Sequence, residues 1–443
     1  MKYFVRRFVL LLAIQAAVIL ILYLMLLDTR VQSARAAVFD WLGQKNMYPC
    51  AFRKLPMVFE HGDNHYYVIW ETTCSSDMPI FEWWTDATND AGVSRHTIEP
   101  RYRKIDGNHH RFSVIFGPVV DSPRVHYKIN SFSLPTQGYT INRPNRNETT
   151  QVLVISDNQN GPSNFRAVLS SAQKTFISRR RPPNAIIHVG DAVQSAGKLS
   201  EWQTHLFSPM EDVGGYQHNT TLVYVPGNHD HDKKRGTGNK NYYMDMYHGI
   251  YNTEGLGSDK AVDASYHQFY HSVSLGGTRI IVLDSECPSK EQSEYLVREL
   301  QSESFQSARF RIVAIHIPPF IEFWNPYAWE HKNEKHWGEH VRLEYDPLFR
   351  KYGVDLVISG HQHNYQRSTI HRNGSPTDND TIAYAIVGGA GGDIDYDRVE
   401  DWKMYNVTYT DFHYVLLDIS DRELQWSVYN TSGGVIDQFT IQR

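Results

Sequence analysis

The sequence predicts an α/β domain preceded by a smaller all-β domain. Five runs of aliphatic and β-branched residues have the length of buried strands, and segments between them show helical spacing. Each run ends at a short polar block; the runs are QVLVIS, NAIIHV, TLVYVP, RIVAI and VDLVIS. Because binding sites in open α/β sheets lie beyond the carboxyl ends of the strands, we expect the five blocks to meet at one edge.

The amino terminus predicts a membrane anchor. Three basic residues precede the segment Phe8 to Leu27, which is apolar apart from Gln15. Such a segment covers about 30 Å at helical rise, enough to cross the hydrocarbon core. We therefore predict a single-pass protein with residues 1–28 as cytosolic tip and signal-anchor helix, and with the remainder lumenal or extracellular. The alternative is a secreted protein, since Ala34-Arg35-Ala36 has the small-x-small form of a signal cleavage site.

Six sequons for N-glycosylation agree with a lumenal glycoprotein. In each, Ser or Thr stands two residues after Asn with no intervening proline. The six are Asn147, Asn219, Asn373, Asn379, Asn406 and Asn430. The three cysteines are compatible with the same location: Cys50 and Cys74 could form a disulfide or remain free, and Cys287 would stay unpaired.

Residues 29–50 form a predicted stalk, and residues 51–145 form a predicted β-sandwich. The strand signals of this domain are short and regularly spaced, with turn-forming residues between them. They are HYYVIWETT, PIFEWWT, HRFSVIFG and RVHYKIN. The aromatic strip of Trp70, Phe81, Trp83 and Trp84 could be a binding face, but aromatic side chains at strand spacing usually belong to a core, and we assign the strip to the core.

The second predicted domain covers residues 150–443. It alternates strands with helices such as EQSEYLVRELQ, and it closes with three strand candidates, HYVLLDI, ELQWSVYN and VIDQFTI. The aromatic-rich segment 317–342 is too irregular for one element, and we expect it to be a loop over the site. The glycines at 388–392 lack the Lys-Ser/Thr of a Walker loop and predict a tight turn near the site.

The charge of the chain argues against nucleic acid as a main partner. The formal net charge is −5, and the Lys and Arg residues are dispersed, so no long basic field could hold a phosphate backbone. The one compact basic run, Arg179 to Arg181, precedes two prolines and predicts a helix end, where cations suit the negative end of the dipole. Nothing in the sequence indicates an oligomeric state.

The five polar blocks contain the side chains of a metal centre. They offer carboxylates, an amide and imidazoles but no cysteine, and this set suits hard-to-borderline ions better than a structural zinc site. Two ions about 3.5 to 4 Å apart could share Asp191, create a hydroxide near neutral pH and clamp a phosphoryl group. The neutral amide of Asn228 would keep such a site Lewis-acidic. His229 could face a substrate and give a proton to the leaving group, with Asp230 orienting it.

These blocks resemble those of the calcineurin-like metallophosphoesterases, and within that superfamily they are most similar to the purple acid phosphatases. The superfamily order is Asp-x-His, Gly-Asp, Gly-Asn-His-Asp/Glu, His and Gly-His-x-His, and four of the five blocks match it fully and in order. Similarity to the purple acid phosphatases also covers the β-sandwich, Leu283 to Glu286, Leu348 to Arg367 and the glycines at 388–392. The resemblance implies a four-layer αββα sandwich behind a fibronectin-III-like domain.

The resemblance also implies a ligand set and a reaction. Two metal ions, with Fe, Zn or Mn as candidates, would promote hydrolysis of a small-molecule or protein phosphate ester, first of all a monoester, by an acid phosphatase-like reaction. The ligands of the first ion would be Asp157, Asp191 and His363, those of the second Asp191, Asn228, His316 and His361, and the catalytic residues His229 and Asp230.

Two positions depart from the family pattern, and both fall on the first metal ion. Gln159 stands where many members have a His two residues after the Asp, and Gln194 stands where purple acid phosphatases have a Tyr three residues after the bridging Asp. Either Gln could offer a carbonyl oxygen, but a neutral oxygen binds a metal ion more weakly than imidazole or phenolate. The purple colour, which the family owes to a tyrosine–iron bond, is not expected.

Two classes of function remain open. One is hydrolysis of phosphate monoesters, with phosphodiesters as a variant. The other is a catalytically impaired binding protein that keeps the fold but has an incomplete first metal site. Two metal ions with turnover would favour the first class, and fewer ions without turnover would favour the second.

Overall fold

The computed structural model describes residues 50–443 apart from one long gap and several short ones. The gaps are 62–63, 75–77, 87–93, 108, 121, 132–137, 144–147, 232–269, 286–288, 324–336, 373–379 and 399–403. The predicted anchor and all of the predicted stalk except Cys50 therefore lie outside the described residues, as do Cys287 and three of the six sequons, Asn147, Asn373 and Asn379.

The described residues form three β-sheets. In chain order the strands are β1 (Phe52–Glu60), β2 (Tyr66–Thr72), β3 (Ile80–Thr85), β4 (Arg95–Ile98), β5 (Arg101–Asp106), β6 (His109–Phe116), β7 (Arg124–Asn130), β8 (Gly138–Asn142), β9 (Thr150–Ile155), β10 (Ala185–His188), β11 (Thr221–Tyr224), β12 (His271–Leu275), β13 (Thr278–Leu283), β14 (Phe310–Ile315), β15 (Leu356–Ser359), β16 (Tyr365–His371), β17 (Thr381–Val387), β18 (Val407–Tyr409), β19 (His413–Ile419), β20 (Glu423–Asn430) and β21 (Val435–Gln442). The large sheet has the order β21-β20-β19-β9-β10-β11-β1-β2-β6-β5, the second sheet β12-β13-β14-β15-β17-β16-β18, and the small sheet β4-β3-β7-β8.

The helices of the described residues all follow β9. They are α1 (Pro162–Arg179), α2 (Leu199–Glu201), α3 (Ser208–Asp212), α4 (Tyr216–Asn219), α5 (Lys290–Gln301), α6 (Glu303–Gln306), α7 (Trp337–His340) and α8 (Asp346–Lys351), with π-helical turns at Trp202–Phe207 and Val341–Tyr345. Helix α1 ends where the basic run begins: Arg179 is its last residue, and Arg180 caps it in the left-handed conformation. The predicted helix end is confirmed.

The large and second sheets pack face to face, and helices cover their outer faces. Alternate side chains of a strand point to opposite faces, so Val152 and Val154 of β9 enter the core between the sheets. Leu153 and Ile155 of the same strand enter a different core, which α1 covers. Helices α5 and α8 cover the outer face of the second sheet. The order helix, sheet, sheet, helix is a mixed α/β fold, as the sequence predicts.

The amino-terminal strands form two sheets around a core of their own. Trp70, Phe81 and Trp83 are buried in this core, as predicted, whereas Trp84 is half-buried outside it with Arg95 over its ring. One of these two sheets, β1-β2-β6-β5, is part of the large sheet, because β1 pairs in parallel with β11. Phe59 of β1 lies opposite Leu222 of β11. The predicted boundary between residues 145 and 150 therefore joins two parts that share one hydrogen-bonded sheet.

Cys50 and Cys74 form a disulfide that ties the start of β1 to the end of β2. Their Cα atoms are 5.3 Å apart, a normal distance for this bond. The alternative left open by the sequence, two free thiols, is therefore wrong for this pair.

The predicted single-pass location is contradicted by the helices of the structure. Across the described part of the chain, no helix is both long enough and apolar enough to cross a membrane. The longest of these helices, α1, has 18 residues, but Arg166, Lys174 and Arg179 interrupt it, and its buried face packs on the large sheet. The segment Phe8 to Leu27, on which the prediction was based, lies outside the described residues.

We expect His218 in α4 to make the stability of the fold sensitive to acid. Its ring packs against Tyr139 with the ring centroids 4.8 Å apart, and its Nδ1 is buried without a hydrogen-bond partner among the described residues. Burial lowers the pKa of His218 to about 4. Since the unfolded chain binds this proton near pH 6.5, the free energy of unfolding should fall as the pH drops from about 6.5 to 4.

We predict that His218→Phe reduces this acid sensitivity. Phenylalanine keeps the aromatic contact and removes the titrating group, so the variant should lose about 2 kcal/mol less than the unmodified protein between pH 7 and pH 5. Urea denaturation of both proteins at the two pH values measures this difference. Equal losses in the two proteins would show that His218 does not carry the effect.

Candidate metal centre

The predicted ligands follow the carboxyl ends of strands in the two packed sheets. In the large sheet, β9 leads to Asp157, β10 to Asp191 and β11 to Asn228. In the second sheet, β14 leads to His316, and β15 leads to the pair His361 and His363. The strands β9, β10 and β11 are parallel to one another, and so are β14 and β15, so within each sheet these ends lie at one edge.

The backbone at three ligands has an unusual conformation. Asp157, Asp191 and His361 have φ angles of 62°, 54° and 72°, in the left-handed region that only glycine adopts freely. Such conformations cost about 1 to 3 kcal/mol each and persist where the surrounding structure enforces them. Gly190 is required by close packing as well: a Cβ atom there would lie 2.6 Å from His316 Nδ1. The turns are therefore shaped to bring these side chains together.

Four ligands surround one position, which we call the second site. Asn228 Oδ1 lies 2.9 Å from His361 Nδ1 and 3.2 Å from His316 Nε2. Asp191 Oδ2 lies 3.4 Å from the same His316 nitrogen. Ligand atoms of Asp191, His316 and His361 all lie within 4.8 Å of one another, and the three residues are buried. One ion with metal–ligand distances of about 2.0 to 2.2 Å could contact such a set of atoms simultaneously.

The hydrogen bonds of His316 show that the second site fits a cation. His316 Nδ1 lies 2.7 Å from the carbonyl oxygen of Val189, so this nitrogen must donate. In a neutral ring Nε2 is then an acceptor, yet it faces the oxygens of Asn228 and Asp191, which are acceptors too. Either a proton or a metal ion must lie between them. Burial lowers the pKa of His316, but the charges of Asp191 and Asp157 outweigh burial and raise it to about 10.

The remaining ligands form the first site beside it. Asp157 Oδ1 lies 3.6 Å from His363 Nε2 and 4.0 Å from His316 Nε2. Burial raises the pKa of Asp157 to about 6, against the opposite effect of the two histidines. Gln159 enters this site: its amide nitrogen lies 3.2 Å from Asp191 Oδ2 and 3.1 Å from His363 Nε2. An amide N–H group cannot ligate a metal ion, so the donor set of the first site fits a cation less well than that of the second.

His229 lies beside the ligands with its ring half-buried. Its backbone N–H donates to Asp191 Oδ1 at 2.9 Å, and its ring Nδ1 donates to the carbonyl oxygen of Gln194 at 3.0 Å. The ring therefore has Nε2 available for proton exchange. The amide oxygen of Gln194 accepts a hydrogen bond from the exposed Asn160 at 2.9 Å, so it is engaged outside the first site.

The structure corrects the predicted role of Asp230. Its buried carboxylate accepts hydrogen bonds from the backbone N–H groups of Asp191, Ala192 and Gly227 at 2.9, 3.0 and 2.8 Å, and not from the His229 ring. Burial, then the charge of Asp191, raises the pKa of Asp230 to about 7. Asp230 thus joins the turn after β10 to the turn after β11 and positions the ligands that those turns carry.

Two pairs of supporting hydrogen bonds were missed by the sequence interpretation, one at His188 and one at His363. His188, in β10, accepts a hydrogen bond from Gly190 N at 3.2 Å, and its Nε2 donates to Asn158 Oδ1 at 2.6 Å. Asp395 Oδ2 accepts from His363 N at 2.7 Å, and the Asp393 carbonyl oxygen accepts from His363 Nδ1 at 2.6 Å. The Asp-x-Asp sequence directly after the glycine run could have indicated the second pair.

The glycine run and the start of the predicted loop both border the site. Gly392 N donates to the Asp157 carbonyl oxygen at 2.8 Å, as expected of a tight turn near the site. After His316, the chain is held by a hydrogen bond from Ile317 N to Ser285 Oγ at 3.0 Å. Residues 324–336, half of the loop predicted over 317–342, lie outside the described residues, and α7 begins at Trp337 within the predicted loop.

Comparison with known proteins agrees with this geometry. Residues 150–365 match the family model described as calcineurin-like phosphoesterase. The fold is similar to that of the purple acid phosphatase PPD1 from yellow lupin (Lupinus luteus) seeds, with a TM-score of 0.67 and 17% sequence identity over 88% of this chain and 74% of that chain. The resemblance read from the ordered motifs is confirmed.

The curated relatives are similar over part of their length. A probable inactive purple acid phosphatase 24 of Arabidopsis thaliana is 24% identical over 355 residues, which are 72% of this chain and 54% of that protein. An Fe(3+)-Zn(2+) purple acid phosphatase 12 of the same plant is 30% identical over 175 residues, 38% of this chain and 32% of that protein. The chain thus spans at most about half the length of these relatives.

Proposed function

We propose that the calcineurin-like phosphoesterase domain of this chain hydrolyses phosphate esters, with monoesters as its first substrate class. The observation that carries the proposal is the group of acceptors around His316 Nε2, where Asn228 Oδ1 and Asp191 Oδ2 lie at 3.2 and 3.4 Å. A cation held there would stand beside His229, a group suited to proton transfer. Substrates of this class are small-molecule or protein phosphate esters.

The donor chemistry supports Fe, Zn or Mn as the ions. Carboxylate, amide oxygen and imidazole without thiolate suit these ions, and one curated relative is named for an Fe(3+)-Zn(2+) pair. Asp191 would belong to both sites, Asn228, His316 and His361 to the second, and Asp157 and His363 to the first. When bound, such ions act as Lewis acids toward a phosphoryl oxygen and toward water.

The residues of the chain would bind, orient and protonate the substrate. Asp191 is held in place by the backbone of His229, and the backbone around Asp191 is held by Asp230. His229 Nδ1 donates to a carbonyl oxygen, so Nε2 is the atom that could protonate the leaving-group oxygen or donate to a phosphoryl oxygen. Since the ring is half-buried, a substrate could reach it from outside.

A binding protein without turnover is the second candidate. Gln159 favours it, because an amide occupies part of the first site, and a further observation is that one curated relative is described as probably inactive. Phosphodiester hydrolysis remains a variant of the first candidate, since both ester classes react by in-line attack at phosphorus.

Metal removal and replacement distinguish these candidates. Purified full-length protein is assayed with an aryl phosphate monoester and the matching diester before chelation, after chelation and after addition of Zn²⁺, Mn²⁺ or Fe³⁺. We expect chelation to abolish hydrolysis and metal to restore it, with the monoester preferred. Absence of turnover with every ion over a wide pH range, in protein that retains metal, would instead support the binding protein.

A further inference from the structure

Gln159 occupies the first site with its own hydrogen-bond donors. The side chain is 3% exposed, and its amide nitrogen lies 3.2 Å from Asp191 Oδ2 and 3.1 Å from His363 Nε2. One amide group carries two N–H hydrogens, so it can satisfy both acceptors at once. These two atoms are the ones that the first ion would need.

The hydrogen bonds of the neighbours settle which end of the amide faces the site. A carboxylate oxygen of Asp191 only accepts, and His363 Nε2 also accepts because His363 Nδ1 donates to the Asp393 carbonyl oxygen at 2.6 Å. An amide oxygen would face two acceptors in this position. The nitrogen of Gln159 must therefore point into the site when no cation is present there.

The other end of the amide is not anchored. Gln159 Oε1 is buried and has no hydrogen-bond partner among the described residues. Rotation of the amide therefore breaks the two bonds of the nitrogen and no bond of the oxygen. Rotation would bring Oε1, which can ligate a metal ion, to the place that the nitrogen held.

The two sites consequently differ in how readily they accept an ion. The second site presents acceptors that conflict until a cation or proton separates them, whereas the acceptors of the first site are already satisfied by Gln159. Asp157 adds to the contrast, because both of its oxygens accept from His361 N at 3.0 and 3.1 Å. An ion entering the first site must displace both hydrogen bonds of Gln159, whereas an ion entering the second site displaces the contact of His361 Nδ1 with Asn228 Oδ1 and removes the conflict at His316 Nε2.

We propose that Gln159 is an amide latch on the first site, so that the chain holds one ion tightly and exchanges the other with its surroundings. The inference that free metal regulates activity rests on the proposed function, whereas the inference that the two sites bind ions with unequal affinity does not. Displacing two hydrogen bonds should make the first ion bind about 100-fold more weakly than the second. Hydrolysis would then follow the concentration of free metal.

The latch and a merely weak ligand make opposite predictions for Gln159→Ala. If Gln159 only ligates weakly, its removal should lower the affinity of the first site or leave it unchanged. If the amide blocks the site, its removal should raise that affinity by about tenfold, because the gain from freeing Asp191 and His363 of their internal donors exceeds the loss of the amide oxygen as a ligand. Gln159→His should raise it further by adding an imidazole ligand.

Metal titration without substrate tests the proposal. Full-length protein and variants are stripped of metal, titrated with Zn²⁺ by calorimetry, and analysed for retained metal after dialysis against metal-free buffer. We expect about one retained ion per chain in the unmodified protein and about two in Gln159→His. Gln301→His is the matched control: its exposed side chain at the end of α5 donates to Tyr352 Oη at 2.7 Å, outside both sites, and the variant should retain about one ion.

Two results would overturn the latch: two tightly held ions in the unmodified protein, or first-site binding that is weaker or unchanged in Gln159→Ala. The activity assay separates this failure from failure of the proposed function. If the unmodified protein holds two ions tightly and hydrolyses the ester, the latch is wrong and the proposed function is supported. If the unmodified protein holds one ion tightly and the Gln159 variants change the first-site affinity as expected, but no ester is hydrolysed, the latch is supported and the proposed function is wrong.

Discussion

Asp191→Asn is expected to lower hydrolysis of an aryl phosphate by roughly 10³-fold or more, the effect of removing a charge-stabilising group from a reacting centre. The reason is that Asp191 faces both sites: Oδ2 lies 3.4 Å from His316 Nε2 and accepts from Gln159 at 3.2 Å. Burial tends to raise the pKa of Asp191, but the charge of His316 and the contacts with His229 outweigh burial, and its pKa lies below the ordinary range.

Metal content should fall together with the rate in this variant. An asparagine amide is neutral and would lower the affinity for a cation. In one orientation its nitrogen would face the backbone N–H of His229, and in the other it would face the ligands of the second site. Asp421→Asn is the matched control, because Asp421 is exposed and pairs with Arg309 at 2.5 Å away from the site. A variant of Asp191 with full metal content and normal turnover would contradict the shared-ligand assignment.

His229→Ala is expected to separate rate from metal binding. The loss of a general acid should lower turnover by about 10²- to 10⁴-fold. Metal content should stay unchanged, because the contact of His229 with the ligands is made by its backbone N–H, which alanine retains. Turnover of an alkyl phosphate, whose leaving alcohol needs a proton, and metal analysis of the same preparation measure the two effects.

The leaving group provides a second test of this role. If His229 protonates the leaving oxygen, the deficit of the alanine variant should shrink with esters of more acidic alcohols, which leave without a proton. His96→Ala is the control, because it makes the same substitution on the exposed strand β4, far from His229 in the sequence. It should alter neither turnover nor metal content. Loss of metal from His229→Ala would show that His229 has a ligand role instead.

Much of the fold could be predicted because its determinants are local. The alternation of Val152, Leu153, Val154 and Ile155 reflects one strand with a core on each face, and the apolar run is readable without knowing what packs there. The helix end at Arg179 was likewise predictable from the basic run and the following prolines. The parallel pairing of β1 with β11 was not, because nothing near Phe59 in the sequence indicates Leu222 as its neighbour.

The candidate site, like the fold, has features that the sequence predicted and features that it did not. The ordered blocks predicted which side chains meet, since the ends of parallel strands share an edge. They did not predict the bonds of Asp230, which follow from turns that come together only in the folded chain. The departure from the family pattern at Gln159 was visible in the sequence. The family pattern suggested a weak oxygen ligand there, whereas in the structure the amide nitrogen of Gln159 faces the site.

By itself, the sequence determined the kind of side chain at the end of each strand, and with it the candidate chemistry, because residue type and strand length are properties of short segments. Only the tertiary structure decided what each polar atom faces. His363 Nδ1 donates to Asp393, so its Nε2 accepts, and the nitrogen of Gln159 must turn toward it. Hydrogen-bond direction depends on partners distant in the chain, and folding alone brings those partners within about 3 Å.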